Sequence, residues 1–375
     1  MGTWPSGLPG RLSLACAGAL LATLAASPPA ASGSVVPTTQ ARAGAATIVQ
    51  APRAPLRMTF LTASAGATSG PEVMLAGPAG SDPRLLGSAS TAVLAPNGQF
   101  VAAVQQGTGS PPHGSSLVLY HVSKTPVSVR TLRSSTSQLT ILAWSPDSDW
   151  VAVLDGDSLL VVPLKGKARA IATGTINSAS FAPTTPDRLV FAKATSLLVT
   201  ARVNLFTVSA KGGAPVQLTH DGLSQYPLWG PDGIVFSREA SHTNTTYQLW
   251  LVRSDGRDAR QLTNVAISAP FYGLEPVAIS SNGRHLLANL VGNGATETWG
   301  VSVAAKPTVL WELGSPSSPT TGNAISRDGK MVLVTEGAGS LSNDDFGGQT
   351  VVWVPWAGGT ATTLAEHAAF ASWNW

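Results

Sequence analysis

The chain of 375 residues is 43% hydrophobic and only 11% charged, with 38 Gly, 27 Pro and one Cys. So small a charged fraction, against about a quarter in an ordinary domain, excludes long charged helices and coiled coils, and the abundant, evenly spread apolar residues exclude disorder throughout. The formal charge of +3 arises near the N-terminus: Arg11, Arg42, Arg53 and Arg57 precede the first acid, Glu72, and setting those four aside from the 23 Lys and Arg leaves 19 against 20 acids. No clustered basic stripe is present, so nucleic acid is not an expected partner.

Taken in chain order, the first element is an uncharged apolar run, Leu12 to Ala26, directly after Arg11. It is shorter than the roughly 20 residues that cross a bilayer. Small residues follow it (Ala25, Ala26, Ala30, Ala31, Ser32, Gly33), so residues 1–32 read as a secretory signal peptide. An exported, periplasmic, cell-surface or extracellular protein is the expectation, with no stable membrane span after cleavage; a retained N-terminal anchor is the alternative. Cys16 falls inside the signal core behind Ser13-Leu14-Ala15. The mature chain would then have no disulfide, no thiol chemistry and no thiolate metal site. Residues 33–54, rich in Ala, Pro, Ser and Thr, read as a flexible spacer.

Residues 55–375 repeat themselves. A turn signature recurs as Ala95-Pro96-Asn97-Gly98, Ser145-Pro146-Asp147-Ser148, Gly230-Pro231-Asp232-Gly233, Ser280-Ser281-Asn282-Gly283 and Ser326-Arg327-Asp328-Gly329. Thr185-Pro186-Asp187-Arg188 is a looser copy and Ser372-Trp373-Asn374 a truncated one, and the Asp/Asn positions lie 50, 40, 45, 50, 46 and 46 residues apart. Each turn is preceded by one apolar strand and followed by three more, such as Met331 to Val334, Leu249 to Val252 and Arg260 to Thr263. Four antiparallel strands per repeat, joined by Gly-containing hairpins, are the unit of a β-propeller. At the N-terminal end Met58 to Ala63, Glu72 to Ala76 and Arg84 to Leu86 are three strands lacking a first partner, while the last turn leaves one strand over. An all-β, seven-bladed propeller is expected, its last blade closed by the C-terminal strand together with the N-terminal strands; six blades is the alternative count.

The Trp-Ser-Pro-Asp turn at 144–147, the Gln-Leu-Thr strand ends at 217–219 and 261–263 and the Gly-Gly at 212–213 resemble the WD40-like repeats of TolB-type propellers. The resemblance covers residues 55 to 375 and implies the propeller fold. The Gly-His and Trp-Asp dipeptides of true WD40 repeats do not occur, and the spacer is shorter than the α/β domain that precedes the propeller in TolB.

In such a meander the turns after first and third strands share one face, and the loops after second and fourth strands share the other. The first set is short and stereotyped. The second is long: Gln105 to Ser116, Ser237 to Thr246, Val291 to Glu297 and Glu336 to Gly348, with the connections Thr219 to Tyr226, Pro270 to Glu275 and Ser315 to Asn323. Binding is expected on this long-loop face, through Arg238, Glu239, His242 and Asn244 with nearby Tyr247, and through His220, Asp221, Gln225 and Tyr226. Asn343-Asp344-Asp345 is an oxygen-rich loop that also suits simple solvation. The six histidines show no metal spacing and no Gly-x-Ser-x-Gly elbow is present, so no catalytic residue, metal or cofactor is assigned. The expectation is a monomeric, non-enzymatic propeller binding a protein or cell-envelope component. A propeller lyase or hydrolase acting on polysaccharide or peptide at the central channel is the alternative.

Overall fold

The recurring turn is held by its own side chains. In the computed structural model, which describes residues 56–62, 70–107, 114–196, 201–304, 306–337 and 348–374, Ser326 Oγ donates to Asp328 Oδ1 at 2.7 Å. The same oxygen accepts the amides of Lys330 at 3.1 Å and Met331 at 2.9 Å. Gly329, at φ 72°, sends its amide back to the Ser326 carbonyl at 2.8 Å. Ser280 repeats the arrangement with Asn282 and the His285 amide, and Ser145 with Asp147 and the Trp150 amide. All three serines are buried. In these three copies the hairpin is closed by a small hydroxyl that turns back, an Asx acceptor and a left-handed residue, glycine at 283 and 329 and Ser148 at φ 64°. Ser326→Ala strands these amides, and a loss of about 1–3 kcal/mol is expected. A urea midpoint equal to the parent's at unchanged slope would count against this role.

The strands follow in chain order. β1 (Met58–Thr62), β2 (Glu72–Ala76) and β3 (Arg84–Ser88) are followed by β4 (Thr91–Leu94), β5 (Phe100–Gln106), β6 (Ser115–His121) and β7 (Ser128–Ser135). Next come β8 (Leu139–Trp144), β9 (Trp150–Asp155), β10 (Ser158–Pro163) and β11 (Arg169–Thr173). Then follow β12 (Thr175–Phe181), β13 (Arg188–Ala194), β14 (Val203–Ser209) and β15 (Val216–Gln217), and after them β16 (Ser224–Gly230), β17 (Gly233–Glu239), β18 (Tyr247–Val252) and β19 (Arg260–Gln261). The remainder are β20 (Phe271–Ile279), β21 (His285–Gly292), β22 (Thr296–Ser302), β23 (Val309–Leu313), β24 (Thr320–Ile325), β25 (Met331–Glu336), β26 (Thr350–Pro355), β27 (Thr362–Glu366) and β28 (Ala368–Trp373). Among the described residues, one 3₁₀ turn at Pro78–Gly80 is the whole helical content.

Strands β4–β7, β8–β11, β12–β15 and β24–β27 form four-stranded meanders. β28 pairs with β1, Met58 facing Trp373 and Thr62 facing Ala368, to give a fourth strand to β1–β3. The expected pairing of the C-terminal strand with the N-terminal ones is thus present. Two buried hydroxyls, Thr59 Oγ1 and Ser372 Oγ, meet across it at 2.8 Å, and Asn374 Oδ1 accepts the Arg57 amide at 2.7 Å.

Strands β16–β19 and β20–β23 are two further meanders merged into one eight-stranded sheet by a single parallel bridge, Tyr247 to Gly273. A like bridge joins Val203 to Leu223, at the same place one sheet earlier. The Gln-Leu-Thr ends explain why: they are short fourth strands that leave their neighbour early. Thr219 Oγ1 takes the Leu205 amide and Thr263 Oγ1 the Leu249 amide, each at 2.9 Å, while Leu218 and Leu262 are buried. The threonine hydroxyl replaces the lost ladder partner, and the chain crosses to begin the next sheet.

Core sits between sheets. Val93, Leu117 and Leu119 pack with Leu139, Ile141 and Val151; Phe191 and Val208 pack with Leu142 and Leu159; Leu249 and Leu274 pack with Leu286 and Trp299. The last cluster returns to the start, joining Ala324, Leu333 and Val351 to Met58, Phe60 and Trp373. Trp144, Trp229 and Trp299 are buried in these layers. The predicted signal peptide, Cys16, the spacer, His113 and the acidic loop 343–345 lie outside the described residues, as does part of the loops 105–116 and 336–348.

Candidate functional site

The end of β17 and the beginnings of β16, β18 and β20 meet at the bridge between the two merged meanders. Ser224 pairs with Arg238 and Gln225 with Ser237, so the connection after β15 and the end of β17 come together at one edge. There Arg238 Nε donates to Asp221 Oδ2 at 2.7 Å. Asp221 Oδ1 accepts the Leu223 amide at 3.1 Å and the Ser224 hydroxyl at 3.3 Å. Burial pushes the Asp221 carboxyl up, but these bonds outweigh it and hold it below the ordinary value. The Arg238 guanidinium also lies over the Trp250 ring at 4.6 Å, within cation–π range. Among the described residues its two terminal Nη groups have no hydrogen-bond partner, so a fixed fork of donors faces outward.

Beside this pair stands an aromatic group. A bulge in β16 after Gln225 puts Tyr226 at φ 51°, and its ring lies 6.1 Å from that of Tyr247. Tyr247 donates its phenol to Glu275 Oε1 at 3.0 Å, with both residues buried. Gly273 makes this possible, since a Cβ there would stand 2.4 Å from the Tyr247 ring. Glu239, opposite Tyr247 in the ladder, has its carboxyl raised above the ordinary value by burial. Ser237 is buried and bonds the Leu274 carbonyl at 2.7 Å.

Of the residues expected from sequence, Asp221 and Arg238 are joined, and Gln225, Tyr226 and Glu239 lie beside them. His220, His242 and Asn244 are exposed, and among the described residues no side-chain hydrogen bond or ion pair joins them to that pair. Asn244 instead accepts the Thr246 amide and hydroxyl at 3.1 and 2.8 Å, stiffening its own loop. That loop is shorter than expected: β17 runs to Glu239, so Ser237 to Glu239 are strand and the loop begins at Ala240. The expectation missed Trp250 and Glu275, for which sequence offered only a strand tryptophan and an acid inside an apolar run. Among the described residues no three His, Cys, Asp or Glu gather into a metal-binding group, and no helix is long and apolar enough to cross a membrane.

No family model matches the chain. No curated protein matches it. Solved structures do, at probability 1.00. TolB from Acinetobacter baumannii aligns over 86% of this chain and 67% of its own, at 12% identity and TM-score 0.51. The β-propeller domain of the Trilobed protease from Pyrococcus furiosus aligns over 84% of this chain and 96% of its own, at 10% identity and TM-score 0.60. Oligogalacturonate lyase from Vibrio parahaemolyticus aligns over 84% and 85%, at 14% identity and TM-score 0.52. Such identities speak to fold alone. The fold is all-β and propeller-like, one shared by TolB and by enzymes.

Proposed function

We propose that this chain is an exported, non-enzymatic, seven-bladed propeller that binds a protein or cell-envelope component through its long-loop face. The four-stranded meanders, counted with the β28–β1 sheet and the two halves of the eight-stranded sheet, support the blade number. The observation that carries the binding site is the Arg238–Asp221 pair set over Trp250, with an unspent guanidinium fork beside the Tyr226–Tyr247–Glu275 group. A partly buried ion pair that still reaches solvent contributes modestly to stability. Its value here is orientation: Asp221 and Trp250 fix the fork so that a partner's carboxylate or carbonyl oxygen is met bidentately, with the half-buried Tyr226 ring for the adjoining apolar part. Arginine and tyrosine are the residues that most often anchor protein interfaces.

The test is capture from a cell-envelope extract by the immobilised chain. Arg238→Ala, and separately a chain with residues 240–246 replaced by a two-residue turn, are expected to lose the captured component while keeping the parent melting temperature. Undiminished capture by both variants overturns the proposed face.

A further inference from the structure

The two turns that depart most from the signature flank one cavity. In Gly230-Pro231-Asp232-Gly233 a glycine stands where serine closes the turns at 145, 280 and 326, and where the turn at 95 has alanine. A Cβ on Gly230 would stand 2.9 Å from Ile279 Cδ1, so a larger residue there requires that side-chain tip to shift. In Thr185-Pro186-Asp187-Arg188, Asp187 pairs with Lys211 at 2.8 Å rather than bonding back into the turn. Between these turns lies a cavity of about 200 Å³, lined by Thr184, Thr185, Arg188, Trp229, Asp232 and Arg253 among others. Its walls are the ends of β12 and β16, the starts of β13 and β17 and the segment after β18, so it opens on the short-turn face, away from Arg238.

Among the described residues, Arg253 is ion-paired and Arg188 is not. Arg188 lies over the Trp229 ring at 5.7 Å. Among the described residues it has no ion pair, and its one side-chain hydrogen bond, to Thr207 Oγ1, is long at 3.5 Å. Asp187, the nearest acid in sequence, is held by Lys211. Arg253 is loosely shared between two exposed acids, Asp258 at 3.3 Å and Asp255 at 3.8 Å. Asp232 Oδ2 lies against Gly283 of the next turn. The side chains that line the space are the two arginines, Thr184 and Thr185, together with the Asp232 carboxylate at its edge toward Gly283.

We propose that this cavity is an anion site on the short-turn face that takes a phosphate-class ligand, held by Arg188 and Arg253 and by the Thr184 and Thr185 hydroxyls. A phosphoryl group offers three acceptor oxygens in different directions, which suits two forks and two hydroxyls; a carboxylate offers two in one plane. Stacking on Trp229 fixes the Arg188 plane in advance, as bidentate recognition requires. The volume is several times the roughly 30 Å³ of a water molecule, enough for phosphate with a small organic group.

The experiment is titration calorimetry of the full chain at low ionic strength with inorganic phosphate and, separately, with acetate. Saturable phosphate binding is expected, weakened about tenfold or more by Arg188→Gln, weakened less by Arg188→Lys, and unchanged by Lys124→Gln, an exposed cation between β6 and β7. Absence of saturable phosphate binding, equal binding by Arg188→Gln, or acetate binding as tight as phosphate overturns the proposal. Arg188 is exposed, so its variants are expected to fold, and their melting curves verify that. The long-loop reading is untouched by any of these results, because it is read through Arg238 and a different ligand.

Discussion

Removal of residues 368–375 is expected to abolish cooperative unfolding. β28 supplies the only described partner for one edge of β1, and its side chains lie in the layer with Met58, Phe60, Leu333 and Val351. Trp373 is 7% exposed, and loss of so large a buried side chain alone costs about 3–5 kcal/mol. The lost ladder bonds, the Thr59–Ser372 hydroxyl pair and three buried alanines add to this, reaching the scale of the about 5–15 kcal/mol that holds a typical domain. The truncated chain should lose its near-ultraviolet circular dichroism and bind a hydrophobic dye, as packing fails before secondary structure does. A synthetic peptide of residues 366–375 should restore the native signal. A truncated chain that melts within a few degrees of the parent would remove the closing role from β28.

Gly273→Val is expected to be the most damaging single substitution near the long-loop site. The Cβ would fall 2.4 Å from Tyr247 Cδ2 and 2.5 Å from the Tyr247 carbonyl oxygen. Backbone cannot yield there without breaking the Tyr247–Gly273 bridge and pulling the Tyr247 phenol from Glu275. A loss of about 2–4 kcal/mol is expected from overpacking and the unpaired buried groups together. Truncating the clashing ring separates the causes. In a double-mutant cycle, Gly273→Val combined with Tyr247→Ala should cost clearly less than the sum of the two single changes. Additive losses would show that the glycine serves something other than the approach of the tyrosine.

Much of the architecture was legible because its signals are local. Ser326, Asp328 and Gly329 do their work within a few residues of one another, so the chemistry is written in adjacent letters. The three N-terminal strands could be matched to the leftover C-terminal one because both ends of a repeat are visible when its period is known. The Gln-Leu-Thr ends were visible as a motif but not as a mechanism: the threonine hydroxyl acts on an amide fourteen residues back in sequence, Leu249 for Thr263. The site was half legible. Asp221 and Arg238 fall near each other on a loop map, yet Trp250 and Glu275 join them only through the pleat of β18 and the bulge-altered register of β20. The cavity was not anticipated at all. Its lining comes from the turns at 185–188 and 230–233, one sheet apart, and only the fold sets them side by side.

The β28–β1 pairing also sets a timetable. Thr59 and Ser372 are 313 residues apart in sequence, so β1 is made long before the strand that completes its sheet. In equilibrium terms the separation matters little, since each doubling of a loop adds only about 0.6 kcal/mol. In time it matters more: at about 5–20 residues per second, the Met58–Thr62 edge waits roughly 15–60 s for its partner. For that interval Phe60 and Leu61 form the uncovered border of an incomplete sheet, and any factor that escorts the nascent chain has its most valuable work there.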